Sequence, residues 1–119
     1  MFFKQLTFMV RSLESSIQFY ETMTELTITR RFKDGRAEIA FLANKDGETS
    51  IELVCTPEAQ KFEGKGFFIS FITDKLEVMH EMAQVKGLNP STIRTPDAKS
   101  RYFYVYDPDG VSVQLKQTY

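Results

Sequence analysis

Few side chains in this sequence could do chemistry, and Glu52 is the most informative of them. It lies in an alternating segment, residues 50–54, between the aliphatic Ile51 and Leu53. A carboxylate among apolar side chains is suited to removing a proton next to a carbonyl, whereas one that accepts hydrogen bonds can instead order a binding site. The sequence leaves both roles open for Glu52, catalytic base and structural acceptor.

The single histidine and the single cysteine do not indicate a catalytic pair. His80 falls in a predicted helix, where a partly exposed structural role is commoner than that of a ligand or base. Cys55 follows Leu53 and Val54, which predicts a buried thiol with no neighbouring histidine or cation to activate it. One cysteine also allows no intramolecular disulfide.

Length and composition predict one globular domain over residues 1–119, because the hydrophobic share of 42% is enough to build a core. A net charge of −1 gives no electrostatic case for nucleic acid or an anionic membrane surface. No apolar run approaches the ~20 residues of a spanning helix, and no secretion signal is recognisable. We therefore expect a cytoplasmic protein with neither nucleic acid nor membrane as a partner.

Hydrophobic periodicity predicts a β-α-β-β-β order in residues 1–56. Residues 5–10 alternate as a strand, and Ser12 can cap a helix in which Leu13, Ile17 and Tyr20 share one face. Asp-Gly pairs between alternating segments are good hairpin signals. They separate three further predicted strands, at residues 26–32, 36–43 and 49–55.

The same order is predicted again after a polar linker at residues 57–65. In residues 66–119 a strand at 67–72 precedes a helix, for which Asp74 and Glu77 resemble a capping pair and Gly87 a C-terminal cap. Three predicted strands follow, at residues 91–94, 102–106 and 111–116, the last two joined by a turn at residues 107–110.

The two halves also match in register. Gln5 and Phe67 open the first strand of each half, and their separation equals that of Glu52 and Gln114 in the last strands. The prediction is an α+β fold, in which two βαβββ repeats form a cupped mixed sheet with the helices on the outer face.

Three segments resemble the vicinal oxygen chelate superfamily, which includes glyoxalase I, bleomycin-resistance proteins, fosfomycin-resistance enzymes and extradiol dioxygenases. Residues 8–20 resemble its first strand and helix, residues 50–54 the strand that ends its first half, and residues 102–115 its closing hairpin. The resemblance covers essentially the whole chain. It implies a cup for a small organic ligand, and a homodimer in which halves from two chains often complete each cup.

The resemblance also implies a metal site, for which this chain lacks the usual residues. Metal-dependent members use four inward side chains, usually His or Gln, Glu, His and Glu; the matching places here hold Gln5, Glu52, Phe67 and Gln114. A phenyl ring binds no metal, and one carboxylate with two amides compensates the charge of a divalent ion poorly. We therefore expect no conventional metal site and no cofactor.

Strand alternation predicts the lining of the cup, which mixes rings with a few polar groups as small-ligand sites do. The predicted ligand-binding residues are Gln5, Thr7, Met9, Phe41, Glu52, Phe67, Ile69, Tyr102, Tyr104 and Gln114.

The leading hypothesis is a metal-free protein, similar in role to bleomycin-resistance proteins, that holds an apolar or aromatic compound in the cup. One alternative is a divergent glyoxalase-type lyase or isomerase with Glu52 as base, with or without a divalent metal. The other is an interaction domain whose cup is collapsed and filled by its own rings.

Overall fold

Two compact units make up the chain, Met1–Glu63 (the first unit) and Gly64–Tyr119 (the second unit). The structure is a computed structural model that describes all of residues 1–119. The α+β class and the two βαβββ repeats are confirmed, and each unit has its own four-stranded mixed sheet. Neither helix is long and apolar enough to cross a lipid bilayer.

The first unit's sheet has the order β1-β4-β3-β2, with β1 parallel to β4 and the other neighbours antiparallel. Ser12 caps α1 as predicted, because its side chain accepts a hydrogen bond from the backbone N–H of Ser15. The elements are β1 Gln5–Met9, α1 Leu13–Thr24, β2 Thr27–Asp34, β3 Ala37–Ala43 and β4 Ser50–Cys55.

The second unit repeats this plan, with the order β5-β8-β7-β6 and β5 parallel to β8. Its elements are β5 Ile69–Ile72, α2 Leu76–Val85, β6 Arg94–Asp97, β7 Ser100–Tyr106 and β8 Ser112–Thr118.

One face of each sheet is buried under the helix of its own unit. In the first unit Ile51 and Leu53 are buried, and Phe8 contacts the buried Tyr20 of α1 with ring centroids 6.1 Å apart. In the second unit Val113 and Leu115 are buried. Side chains alternate along a strand, so the residues between these positions lie on the opposite face, called here the open face of each unit.

Two local predictions for the second unit are wrong. Helix α2 has no side-chain cap from Asp74, because Gln117 of β8 instead accepts a hydrogen bond from the Leu76 N–H at 3.3 Å. Strand β6 covers Arg94–Asp97 and overlaps the predicted residues 91–94 only at Arg94. Ser91 still pairs with β7, since its N–H donates to the Tyr104 carbonyl and its hydroxyl accepts from the Tyr104 N–H.

Candidate functional site

A row of four side chains crosses the open face of the first unit. Thr7 of β1 stands opposite Glu52 of β4, Glu52 opposite Phe41 of β3, and Phe41 opposite Arg30 of β2. Residues that are paired in adjacent strands point to the same face of a sheet. The fold therefore places a hydroxyl, a carboxylate, a phenyl ring and a guanidinium side by side.

A β-bulge in β2 determines that Arg30 lies in this row. The register shifts between Ile28 and Arg30, so Thr29 has no partner of its own in β3. Without this extra residue, Arg30 would point toward the helix. The next residue, Arg31, does point there and forms an ion pair with Glu14 of α1. The hydrogen bond from Arg31 to Glu14 raises the pKa of the Arg31 guanidinium.

Glu52 is held by two donors that share one of its oxygens. The Thr7 hydroxyl donates to Glu52 Oε1 at 2.6 Å, and Gln5 Nε2 donates to the same oxygen at 2.9 Å. Within the first unit the other oxygen, Oε2, accepts no hydrogen bond. Glu52 thus has a fixed position and one oxygen that is able to accept a hydrogen bond from a ligand.

Aromatic rings form the other part of this face. Phe32 and Phe41 stack with centroids 6.3 Å apart and planes 16° from parallel, and the Arg30 guanidinium lies 4.3 Å from the centre of Phe32. Arg30 makes no ion pair. The side chain of Met9, at the end of β1, is half exposed on the same face.

A cavity of ≈ 230 Å³ opens beside the row. Phe41 and Arg30 line it together with Ser50, which lies two residues before Glu52 in β4. The other lining residues, mostly from the N-terminal segment and the β3–β4 turn, are Phe2, Lys4, Thr29, Ala43, Asp46, Gly47 and Glu48.

The open face of the second unit carries a directed chain of hydrogen bonds. Ser70 Oγ donates to Gln114 Oε1 at 2.6 Å, and Gln114 Nε2 donates to Tyr104 Oη at 3.2 Å. Because Tyr104 is the acceptor in the second bond, its own hydroxyl proton is directed elsewhere. Phe68 and Tyr102 contact the Tyr104 ring edge to face, at 5.2 and 5.6 Å. This face therefore combines a buried amide with three rings.

A second cavity, of ≈ 420 Å³, borders the same three-ring surface of the second unit. Its lining is largely hydroxyl-bearing and consists of Asn89, Ser91, Tyr104, Tyr106 and Ser112.

The predicted register of β5 is wrong by one residue. Ser70 stands opposite Gln114, and Ile69 stands opposite the buried Val113 on the helix side. Phe67 precedes β5 and does not occupy the place that corresponds to Gln5. A slip of one residue exchanges the two faces of a strand, and the apolar run at residues 67–69 conceals the alternation that would have revealed it. Ser70, the one hydroxyl in that strand, was the available signal.

The predicted site residues thus fall into three groups. Gln5, Thr7, Met9, Phe41 and Glu52 share the open face of the first unit. Tyr102, Tyr104 and Gln114 share the open face of the second unit, as their pairing in β7 and β8 requires. Ile69 lies on the helix side of β5, and Phe67 precedes that strand, so neither belongs to an open face. Arg30 and Phe32 were not among the predicted residues, because no local sequence pattern marks the bulge at Thr29.

The donors on these faces do not fit the metal site that the resemblance implies. Nowhere do three His, Cys, Asp or Glu side chains come together in a group that could hold a metal ion. Glu52 Oε1 already accepts from Thr7 and Gln5, and Gln114 Oε1 already accepts from Ser70. The absence of a metal stays a prediction, since amide oxygens can also contribute to a site.

His80 and Cys55 have structural surroundings. His80 Nε2 lies 2.8 Å from the carbonyl oxygen of Ser91, and its ring contacts Phe103 edge to face at 4.8 Å. Cys55 is half-buried rather than buried, because its position at the end of β4 leaves Sγ near the Arg11 carbonyl at 3.6 Å. Neither residue lies on an open face next to Glu52 or Gln114.

Comparison with known sequences gives one family. The sequence model of the Glyoxalase/Bleomycin resistance protein/Dioxygenase superfamily matches residues 3–115. A comparison with curated proteins finds no significant match.

Solved structures reproduce the fold over almost the full chain. A glyoxalase family protein from Bacillus cereus is 17% identical with a TM-score of 0.81, covering 98% of this chain and 93% of its own. An antibiotic-binding protein from Streptomyces sp. is 18% identical (TM-score 0.73; 98% and 94% covered). The fosfomycin resistance protein from Mesorhizobium loti is 19% identical (TM-score 0.74; 94% and 87% covered). At these identities the likeness is one of fold.

Proposed function

This chain belongs to the Glyoxalase/Bleomycin resistance protein/Dioxygenase superfamily, and on that premise we propose that it binds a small apolar or aromatic molecule without a conventional metal site. The observation that carries the proposal is the row on the open face of the first unit, where Glu52 lies next to Phe41 with one oxygen free of protein donors. Apolar rings with a few fixed polar groups are the usual lining of small-ligand sites.

The physical state of this face supports binding. Phe41 has a stacking partner in Phe32 on one side, and the cavity of ≈ 230 Å³ reaches its ring. Glu52 needs no rearrangement to accept a hydrogen bond, since Thr7 and Gln5 already fix its other oxygen. Binding to preorganised groups costs less entropy than binding to mobile ones.

The fold neighbours support the same class of function by analogy. One of them is an antibiotic-binding protein, so this fold is able to hold an organic compound. On the open face of the second unit, Tyr102, Tyr104 and Gln114 are proposed as ligand-binding residues of that unit. Their ring surfaces and the free proton of the Tyr104 hydroxyl suit an aromatic ligand with an acceptor group.

A glyoxalase-type lyase or isomerase is the second candidate, favoured by the free Oε2 of Glu52. A carboxylate so placed could remove a proton from a carbon next to a carbonyl. Wild-type protein would then exchange such protons of α-hydroxyketones for deuterium from solvent, as followed by NMR, and Glu52→Gln would not. If the wild type exchanges no such proton in any α-hydroxyketone tested, the lyase or isomerase candidate is wrong and only the binding function remains.

Native mass spectrometry of freshly purified protein tests the binding proposal. We expect a non-covalent organic mass on the wild type that is lost in Phe41→Ala, with circular dichroism showing that the variant is folded. Glu38→Gln is the matched surface control and should keep the organic mass, because Glu38 alternates to the other face of β3. A wild-type protein with no organic mass, which also binds no compound of an aromatic library, would contradict the proposal.

A further inference from the structure

We propose that the open face of the first unit selects a planar ligand with a cationic donor, such as a protonated amine, at one end and a carboxylate at the other. This inference rests on the proposed binding function and deepens it by naming the chemical class of the ligand. It derives from the order of the side chains in the row, carboxylate, ring and guanidinium.

The spacing of the row sets the length of the ligand. Glu52 and Arg30 both stand opposite Phe41, one in β4 and the other in β2. Neighbouring strands are about 4.8 Å apart, so the backbones at Glu52 and Arg30 are separated by about 10 Å with the ring between them. A single aromatic ring with substituents at opposite ends spans such a gap once both side chains lean inward.

The Glu52 end is suited to a donor that carries positive charge. Its two protein donors, Thr7 and Gln5, both bind Oε1 and neither of them is charged. No cation of the first unit forms an ion pair with this carboxylate. An ammonium group at Oε2 would form a charge-assisted hydrogen bond, which is stronger than a neutral one.

The Arg30 end is suited to an anion. The guanidinium lies on the Phe32 ring at 4.3 Å and makes no ion pair, although Asp46 and Glu48 line the same cavity. Lys4, which also lines this cavity, adds a second positive charge. A guanidinium over a ring face still has N–H groups available for the two oxygens of a carboxylate.

The middle of the row requires a flat ligand. Phe41 offers a ring face between the two charged ends, and aromatic pairs prefer offset-stacked or edge-to-face contacts. An aliphatic chain with the same charges would lose this contact and more conformational entropy on binding.

Isothermal titration calorimetry with four matched probes tests the inference. The probes are para-(aminomethyl)benzoate, benzylamine without the carboxylate, para-methylbenzoate without the amine, and the neutral benzyl alcohol. We expect para-(aminomethyl)benzoate to bind the wild type at least about tenfold more tightly than any of the others. Glu52→Gln should abolish its advantage over para-methylbenzoate, and Arg30→Gln its advantage over benzylamine, while Glu38→Gln changes neither.

The outcomes separate this inference from the proposed function. If all four probes bind the wild type with equal affinity, the aromatic site stands and the selection for two opposite charges is wrong. If none of the four binds while another aromatic compound does, the inference is overturned and the proposed binding function stands. An advantage that survives in Glu52→Gln and Arg30→Gln would also overturn the inference.

Discussion

The hydroxyl of Thr7 donates a 2.6 Å hydrogen bond to Glu52, which stands opposite it in the neighbouring parallel strand. The second unit repeats this relationship, since Ser70 donates at the same distance to Gln114. In each unit a hydroxyl from the first strand thus orders the polar side chain of the last strand. Protein donors, rather than positive charge, hold these oxygens in place.

Removing the Thr7 hydroxyl should weaken ligand binding more than it weakens the fold. Thr7→Val keeps the shape of the side chain but leaves Glu52 with Gln5 as its only donor. We expect affinity for para-(aminomethyl)benzoate to fall about fivefold, equivalent to ~1 kcal/mol. Calorimetry on Thr7→Val and on Thr7→Ser, which keeps a hydroxyl, measures this. Equal affinity in Thr7→Val and the wild type would show that Thr7 does not position Glu52.

The Ser70 hydroxyl should matter for stability, because Gln114 is only 7% exposed. Ser70→Ala leaves Gln114 Oε1 without its donor, which should cost about 1–2 kcal/mol of unfolding free energy. Urea denaturation followed by circular dichroism measures the loss, and Ser70→Thr, with its hydroxyl retained, is the control. An unchanged midpoint in Ser70→Ala would mean that water replaces the bond.

Asp107 should be the most sensitive polar position in the β7–β8 turn. It is 4% exposed, and its Oδ1 accepts from the backbone N–H groups of Asp109 and Val111 at 2.8 and 2.9 Å. Asp107→Ala removes the side-chain acceptor that these two N–H groups share and should cost about 2–3 kcal/mol. Asp107→Asn retains an acceptor oxygen, so its free energy of unfolding should fall by less than that of Asp107→Ala. Equal unfolding midpoints for the two variants would contradict this account.

Much of the fold follows from the sequence. Alternation and Asp-Gly turns were sufficient for the order of the strands and for the buried side of β4 and β8. The bulge at Thr29 was not predicted, because a bulge depends on pairing with β3 rather than on the local sequence. Because the bulge was not predicted, Arg30 was not included among the predicted site residues.

The predicted strand faces were right in the first unit and partly wrong in the second, and the binding role of these residues stays a prediction. In β1 polar and apolar residues alternate clearly, so Gln5, Thr7 and Met9 were assigned to the correct face. Phe67 and Phe68, the adjacent rings just before β5, fit either face, and only the pairing of Ser70 with Gln114 settles the register.

The homodimer implied by the family resemblance stays a prediction. Sedimentation equilibrium at micromolar concentration should give twice the mass of one chain, independent of salt if the contact is largely apolar. The mass of a single chain under these conditions would contradict it. The cytoplasmic location is likewise a prediction, and cell fractionation tests it.

An amide NMR titration of the wild-type protein with para-(aminomethyl)benzoate tests the central claim most directly, since it locates the ligand on the chain. Saturable shifts should appear at the backbone amides around Glu52, Phe41 and Arg30, and they should be absent in Phe41→Ala. Shifts confined to residues around Tyr104 and Gln114, or no saturable shifts at all, would contradict a ligand site on the open face of the first unit.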